Sequence, residues 1–187
     1  MRPAALATLS VIALAAAMGP AAAATIVADS IESGYDRSEF VSIADGKPFK
    51  VEVLTADVGD RPLMEREILS SMQAAGVPGV RTTFVAGQPA MSPNGSDYRL
   101  VVAVNPGGST SAENLCAADA KVVPAAAGRL HLVMSFCRTD ELLSTATGIT
   151  GASLQDPQAL ASTMSELMAV VLPATTPIRT SHNHGMP

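Results

Sequence analysis

The stretch RLHLVMSFCRTDELLSTATGIT at residues 129–150 begins with a regular alternation of side chains. Such alternation places successive side chains on opposite faces of a strand. One predicted face carries Leu130, Leu132, Met134 and Phe136, and the other carries His131, Val133, Ser135 and Cys137. RTD at 138–140 suits a tight turn, after which ELLSTATGIT at 141–150 pairs back onto the first strand. This hairpin is the clearest indication of the fold.

Further strands are predicted ahead of the hairpin. FKVEVLTAD at 49–57 alternates like a half-buried strand, and GVRTTFVAG at 79–87 is bounded by glycines. YRLVVAVN at 98–105 is an almost continuous apolar run, which is typical of a central strand. Phe40, Val41 and Ile43 are predicted as a short strand before the turn at 45–48.

Two segments show helical spacing. GDRPLMEREILSSMQAAG at 59–76 is predicted as an amphipathic helix, with apolar residues at Met64, Ile68, Met72 and Ala75. DPQALASTMSELMAVVLP at 156–173 starts with an Asp156 cap and Pro157 in the first turn. Its apolar stripe consists of Leu160, Met164, Leu167, Met168, Val171 and Leu172.

This order of elements predicts an α+β fold with two layers. A mostly antiparallel sheet would carry the two amphipathic helices on one face. The other face is expected to be either partly open, or closed by the lead-in after residue 24 and the loop that holds Cys116.

The chain is predicted to consist of three parts. Residues 1–24 have one positive charge, Arg2, an apolar run and a small-residue cleavage site, which together indicate a secretory signal peptide. Residues 25–174 would form a single α+β domain, and the polar, proline-dotted residues 175–187 a disordered tail. The mature chain is expected to have no transmembrane anchor, and to be periplasmic or secreted.

The chain has two cysteines, Cys116 and Cys137. A redox motif would need a Cys-x-x-Cys spacing, and a zinc site would need four ligands. Because exported chains meet an oxidising compartment, we expect these thiols to form one structural disulfide. It closes a loop of 137 − 116 + 1 = 22 residues, worth roughly 3 kcal/mol on the chain-entropy model.

Composition argues against several functions. Without Arg2 the formal charge is 11 − 17 = −6, which disfavours binding to nucleic acid or to anionic membranes. The chain has four Phe, two Tyr and no Trp, so aromatic platforms for sugars or bases are scarce. No cofactor is expected.

Candidate catalytic residues can be found but do not form a convincing site. His131, Ser135 and Asp140 could form a hydrolase set, yet His131 and Ser135 are four residues apart on one strand, about 13 Å. Ser153 lacks the glycine of a nucleophile elbow at position 155. The glycine-rich turn at 105–109 lacks the lysine of a phosphate loop.

The remaining polar residues predict little chemistry. The carboxylates are scattered along the chain and are interpreted as solvated surface: Asp29, Glu32, Asp36, Glu39, Asp57, Asp60, Glu65, Glu67, Asp97, Glu113, Asp119, Asp140, Glu141, Asp156 and Glu166. His182, His184 and Met186 in the tail are a possible copper or nickel set, but an unorganised one.

The pair NLCAADA and SFCRTDELLSTATG, followed by DPQALASTMSELMAVVLP, resembles a group of uncharacterised exported bacterial proteins. In that group a Leu-Cys and a Phe-Cys-Arg flank a strand, and a last helix ends in Leu-Pro or Phe-Pro. The resemblance covers about Tyr98 to Pro173 and implies no known activity. The element order is also similar to envelope accessory domains such as the amino-terminal domain of the translocation protein TolB, by topology alone.

The sequence therefore favours a non-catalytic accessory protein that binds a protein or another envelope component. The alternatives are a small envelope hydrolase using His131, and a metal-handling protein using the His182/His184 tail. An exposed strand edge or open sheet face would favour the binding protein. A cleft converging on His131 would favour the hydrolase.

Overall fold

The predicted hairpin lies inside a six-stranded sheet in the computed structural model, which describes residues 24–56, 61–87, 97–108, 110–124 and 128–175. The strands are β1 (Thr25–Ile31), β2 (Pro48–Thr55), β3 (Thr83–Val85), β4 (Tyr98–Val104), β5 (Leu130–Arg138) and β6 (Glu141–Thr150). The helices are α1 (Arg37–Ala44), α2 (Arg61–Ala75), α3 (Ala112–Leu115) and α4 (Pro157–Val171). Across the sheet the strand order is β1-β6-β5-β4-β2-β3.

The sheet is mixed, and the α+β fold is confirmed. β1, β6, β5 and β4 pair antiparallel in that order, whereas β2 lies parallel to both β4 and β3. The parallel pairing follows from α2, which packs against β2 and β3 and returns the chain to the end of the sheet where β2 began.

The prediction of a short strand at Phe40, Val41 and Ile43 is wrong, because these residues belong to α1. Asp36 caps the helix by accepting a hydrogen bond from the Ser38 backbone N–H at 2.7 Å. Phe40, Ile43 and Ala44 are buried on one side of the helix, at the spacing of a helical stripe. A run of so few residues fits both the strand period and the helix period. The Asp36 cap is the feature that favours the helix.

One face of the sheet, called here the first face, packs against α1, α2 and α4 and forms the main core. The Asp156 cap and Pro157 at the start of α4 are confirmed, and the Asp156 carboxylate accepts from the Ala159 N–H at 3.1 Å. All six residues of the predicted α4 stripe belong to this core. The two long helices pack against each other as well as against the sheet.

The opposite, second face is partly covered by the segment 106–124, of which the structure describes 106–108 and 110–124. Its short helix α3 and Cys116 join a smaller apolar cluster with residues of β2, β4, β5 and β6: Leu54, Val101, Ala103, Leu115, Cys116, Val133, Cys137 and Leu142. The disulfide joins Cys116 to Cys137, with 5.6 Å between the Cα atoms. The Cys116 loop therefore closes part of this face, while the lead-in forms edge strand β1 and helix α1 instead.

Some of the predictions lie outside the described residues. These are residues 1–23 of the signal peptide predicted at 1–24, the loop residues Asp57, Asp60 and Ser109, and residues 176–187 of the tail predicted at 175–187, with His182, His184 and Met186. Across the residues that the structure does describe, none of the helices is both long and apolar enough to cross a membrane.

Candidate functional site

The residues of the hydrolase hypothesis are not brought together. The Ser135 hydroxyl is fully buried and lies 3.0 Å from the Thr145 hydroxyl, within hydrogen-bonding distance. Asp140 lies in the β5–β6 turn, at the opposite end of β5 from His131. Within the described parts of the chain, the His131 imidazole makes no hydrogen bond or ion pair. The His131 backbone N–H donates to the Asn105 side-chain oxygen at 2.9 Å, and its carbonyl accepts from the Asn105 N–H at 2.7 Å.

The other catalytic candidates that the structure describes have ordinary structural positions. The Ser153 hydroxyl accepts from the Gln155 N–H in the turn before α4, and Asn105 ends β4 with a left-handed φ of 48°. Among the described residues, no three His, Cys, Asp or Glu side chains lie close enough to hold a metal ion.

Three carboxylates interpreted as scattered, Glu39, Asp97 and Glu141, meet two arginines at one end of the sheet, together with Glu52 of β2. The first group, on the first face, consists of Glu39, Tyr98, Arg138 and Glu141. Arg138 donates two hydrogen bonds to Glu141, at 2.7 and 3.1 Å, and its Nη1 lies 3.5 Å from Glu39. The Tyr98 hydroxyl donates to Glu39. These contacts connect α1 to the first residue of β4 and to the β5–β6 hairpin.

The second group, on the second face, is centred on Arg99, whose side chain is 6% exposed. Its guanidinium lies 3.4 Å from Glu52 and 3.8 Å from Asp97, and Lys50 lies 3.9 Å from Asp97. A charge taken out of water in this way needs partners of opposite sign. In both groups each carboxylate faces an arginine, an arrangement that binds segments together rather than activating a nucleophile.

The two tyrosines of the chain give the first prediction, because both are buried. Burial raises the pKa of Tyr98, and its hydrogen bond to Glu39 adds to the shift; burial also raises the pKa of Tyr35. A raised folded-state pKa contributes stability that is complete below the unfolded pKa of about 10 and is lost as the pH rises through the folded pKa.

We therefore expect absorbance at 295 nm to rise at a higher pH in the native protein than in urea, and urea midpoints to fall above about pH 10. Without tryptophan, the signal comes from these two residues alone. Superimposable native and urea titration curves would contradict the prediction.

A surface outside these two charged groups lies at the β1 side of the second face, and within it the Ser30 hydroxyl donates to Glu32 at 3.2 Å. Register pairs place Thr25 opposite Ile149, Ala28 opposite Thr147 and His131 opposite Ile149. Together with Ser30 these side chains form a surface called here the open corner: Thr25, Ala28, Ser30, His131, Thr147 and Ile149. Each is exposed or half-exposed, and the six include no Asp, Glu, Lys or Arg.

The open corner continues into the outer edge of the sheet, formed by β1. β1 is the outermost strand, and in the described part of the chain it pairs with β6 alone. The register shifts at Val27, which is 51% exposed, and is regular again from Ala28. Asp29 is the single charged residue in the strand. At the other edge β3 has three residues against the seven of β1.

Comparison with known proteins does not identify a family. No protein-family model and no curated protein matches the chain. Among solved structures, a point variant of the PelC dodecamer from Paraburkholderia phytofirmans is 14% identical, with a TM-score of 0.43, covering 81% of this chain and 99% of that one. A PelC dodecamer from the same organism in another crystal form is 13% identical, also with a TM-score of 0.43, and covers 80% and 97%. Values this low do not establish a shared fold.

Sequence reasoning could not have found the open corner. Apart from His131, its residues are ordinary Thr, Ser, Ala and Ile, and the residues of β1 and β6 share a surface only because the two strands pair across more than a hundred residues. The two charged groups were likewise missed because their members come from distant segments. The one available signal was Arg99, a cation within an otherwise apolar strand.

Proposed function

We propose that this chain is an exported, non-catalytic accessory protein that binds an extended segment of a protein partner along β1. The observation that carries the proposal is the seven-residue strand at the edge of the sheet, next to an uncharged and partly exposed face. An edge strand presents backbone N–H and C=O groups to one side, and an incoming strand can pair with them.

The side chains around this edge suit strand addition. Backbone pairing gives affinity without sequence preference, and alternate side chains of the added strand would lie over the open corner. Small residues such as Ala28 and Ser30 allow close approach. The shift at Val27 and the charge of Asp29 are the devices by which edge strands resist indiscriminate pairing, which favours a specific partner.

Export is supported by the leader-like residues 1–24 and by the disulfide, since paired thiols persist in oxidising compartments. The hydrolase alternative has less support, because Ser135 is buried against Thr145 and distant from His131. The metal alternative depends on His182 and His184, outside the described residues.

The test uses two matched lysine substitutions on the mature protein. Val27 and Val123 are 51% and 49% exposed, so neither replacement disturbs the core. Lysine on an edge strand opposes strand addition. Immobilised protein is used to capture partners from its native envelope extract. The captured protein is then purified, and its Kd is measured for the wild type and both variants.

We expect Val27→Lys to weaken binding about tenfold or more, corresponding to about 1.4 kcal/mol, and Val123→Lys to change it less than about twofold. Amide exchange in β1 should slow when the partner binds. Equal affinities of the two variants, or slowed exchange confined to other elements, would contradict strand addition at β1. Failure to capture any protein would count against the accessory role itself.

A further inference from the structure

Arg99 connects the two segments that carry the cysteines. Its Nη2 donates to the backbone carbonyl of Cys116 at 2.5 Å, and its Nη1 donates to the carbonyl of Thr139 at 2.7 Å. Thr139 lies two residues after Cys137, in the turn of the hairpin, and its own N–H donates to the Asp97 carbonyl at 2.6 Å. A planar guanidinium can make such a two-pronged contact in a fixed geometry.

The strand register places this contact directly beside the disulfide. Arg99 on β4 is paired with Cys137 on β5, so both side chains lie on the second face. Both cysteines are fully buried there. Glu52 and Asp97, at 3.4 and 3.8 Å, compensate the buried charge of Arg99. These ion pairs and the hydrogen bond to the Thr139 carbonyl keep the guanidinium at the sheet without involving the sulfur atoms.

We infer that Arg99 is a positioning residue for formation of the Cys116–Cys137 disulfide. In the reduced chain it holds the 106–124 segment on the second face, with the Cys116 thiol next to that of Cys137. The observed Cα separation of 5.6 Å lies within the range of about 4.4–6.8 Å that a disulfide requires. The inference concerns the assembly of the fold and does not depend on the proposed function.

The chemistry needs an external oxidant of the disulfide class. The Cys116 and Cys137 thiols lose two protons and two electrons as their sulfur atoms bond. One molecule of glutathione disulfide takes up those electrons and protons and becomes two molecules of glutathione. Arg99 takes no part in the electron transfer; it contributes geometry alone.

Docking of the 106–124 segment by Arg99 has a thermodynamic consequence. The observed equilibrium constant for oxidation depends on how many of the reduced chains have the segment docked. It equals the equilibrium constant for chains with the segment docked, multiplied by the docked fraction of the reduced chains. Without Arg99, the reduced thiols would be joined mainly by the 22-residue loop, since 137 − 116 + 1 = 22. Such a loop has an entropic cost of closure. Weakening the Arg99 contact should therefore lower the oxidation constant.

The first experiment equilibrates the protein with mixtures of oxidised and reduced glutathione. Arg99→Lys retains the charge facing Glu52 and Asp97 but loses the two-pronged contact. Arg138→Lys is the matched control, since Arg138 lies next to Cys137 in sequence but binds carboxylates on the first face. We expect the oxidation constant to fall about tenfold for Arg99→Lys, corresponding to about 1.4 kcal/mol, and to stay within about twofold for Arg138→Lys. An unchanged constant for Arg99→Lys, or an equal fall in both variants, would overturn the inference.

The second experiment removes the sulfur chemistry, and the result that would overturn the inference is read in a variant that keeps Arg99. Amide exchange is measured in a Cys116→Ala/Cys137→Ala variant, with and without Arg99→Lys. We expect the Gly107 and Ala120 amides, which donate to Val123 and Ala117, to remain protected while Arg99 is present and to exchange at least tenfold faster without it. Exchange at the rate of an unstructured peptide with Arg99 in place would show that the disulfide alone docks the segment.

Discussion

Leu167→Asp is expected to unfold the protein. Leu167 is fully buried in the middle of α4, and a Cβ added at Gly148 of β6 would lie only 3.2 Å from its Cδ2. An aspartate at this position would be buried, and among the described residues the one buried Lys or Arg side chain, Arg99, lies on the opposite face of the sheet. Burying an unpaired charge costs several kcal/mol. That loss is comparable to the whole stability of a typical domain, about 5–15 kcal/mol.

The control for Leu167→Asp is Ser165→Asp, which adds the same charge two residues earlier. Ser165 is exposed on the outer side of α4, where substitutions typically change stability by within about 0.5 kcal/mol. Urea midpoints or far-ultraviolet circular dichroism distinguish the two variants. Equal losses would mean that α4 is buried on all sides, as in an assembly of several copies.

Phe136→Ala should have the second largest effect, a loss of about 3–5 kcal/mol. The Phe136 ring is 1% exposed and is surrounded by four other rings with centroids 5.7–6.2 Å away: Tyr35, Phe40, Phe49 and Tyr98. Removing it leaves a cavity at the junction of α1, β2, β4 and β5, and eliminates four aromatic contacts at once. Each such contact is worth roughly 0.5–1.5 kcal/mol beyond the buried area.

Phe84→Ala is the matched comparison, because Phe84 is the one aromatic residue outside this ring group. It is 5% exposed on the short edge strand β3. The two substitutions delete the same atoms, so their difference in unfolding free energy reports the ring contacts and the rigidity of the site. We expect Phe136→Ala to cost at least about 1 kcal/mol more. A larger loss of unfolding free energy for Phe84→Ala would mean that the core tolerates substitution less well at β3 than at Phe136.

The parts of the fold that could be predicted are those with many repeats of one period. The hairpin at 130–150 alternates over nine residues in β5, and α4 repeats its apolar stripe through four turns between a capping Asp156 and Pro173. The pairing of Cys116 with Cys137 followed from an even count of thiols. The two periodic patterns are local in the sequence, and two cysteines allow a single pairing within the chain.

The parts that were missed depend on contacts between distant segments. α1 was taken for a strand because eight residues carry too few repeats to separate the two periods. β1 has no regular pattern, and its position is set by β6. The Glu39–Tyr98 contact spans 59 residues and the Glu39–Arg138 contact 138 − 39 = 99, so the charges looked scattered until the sheet order was known.

The pairing of β1 with β6 also sets the order in which the molecule can be completed. Thr25 meets Ile149, a separation of 149 − 25 = 124 residues. At a synthesis rate of about 5–20 residues per second, the first strand made waits roughly 6–25 seconds for its partner. Over that interval β6 has not been made, so the sheet is incomplete and the chain is not yet fully folded. During the same interval β1 is open to association with other strands. A chain whose synthesis ends before residue 141 would lack β6, the strand that lies between β1 and β5.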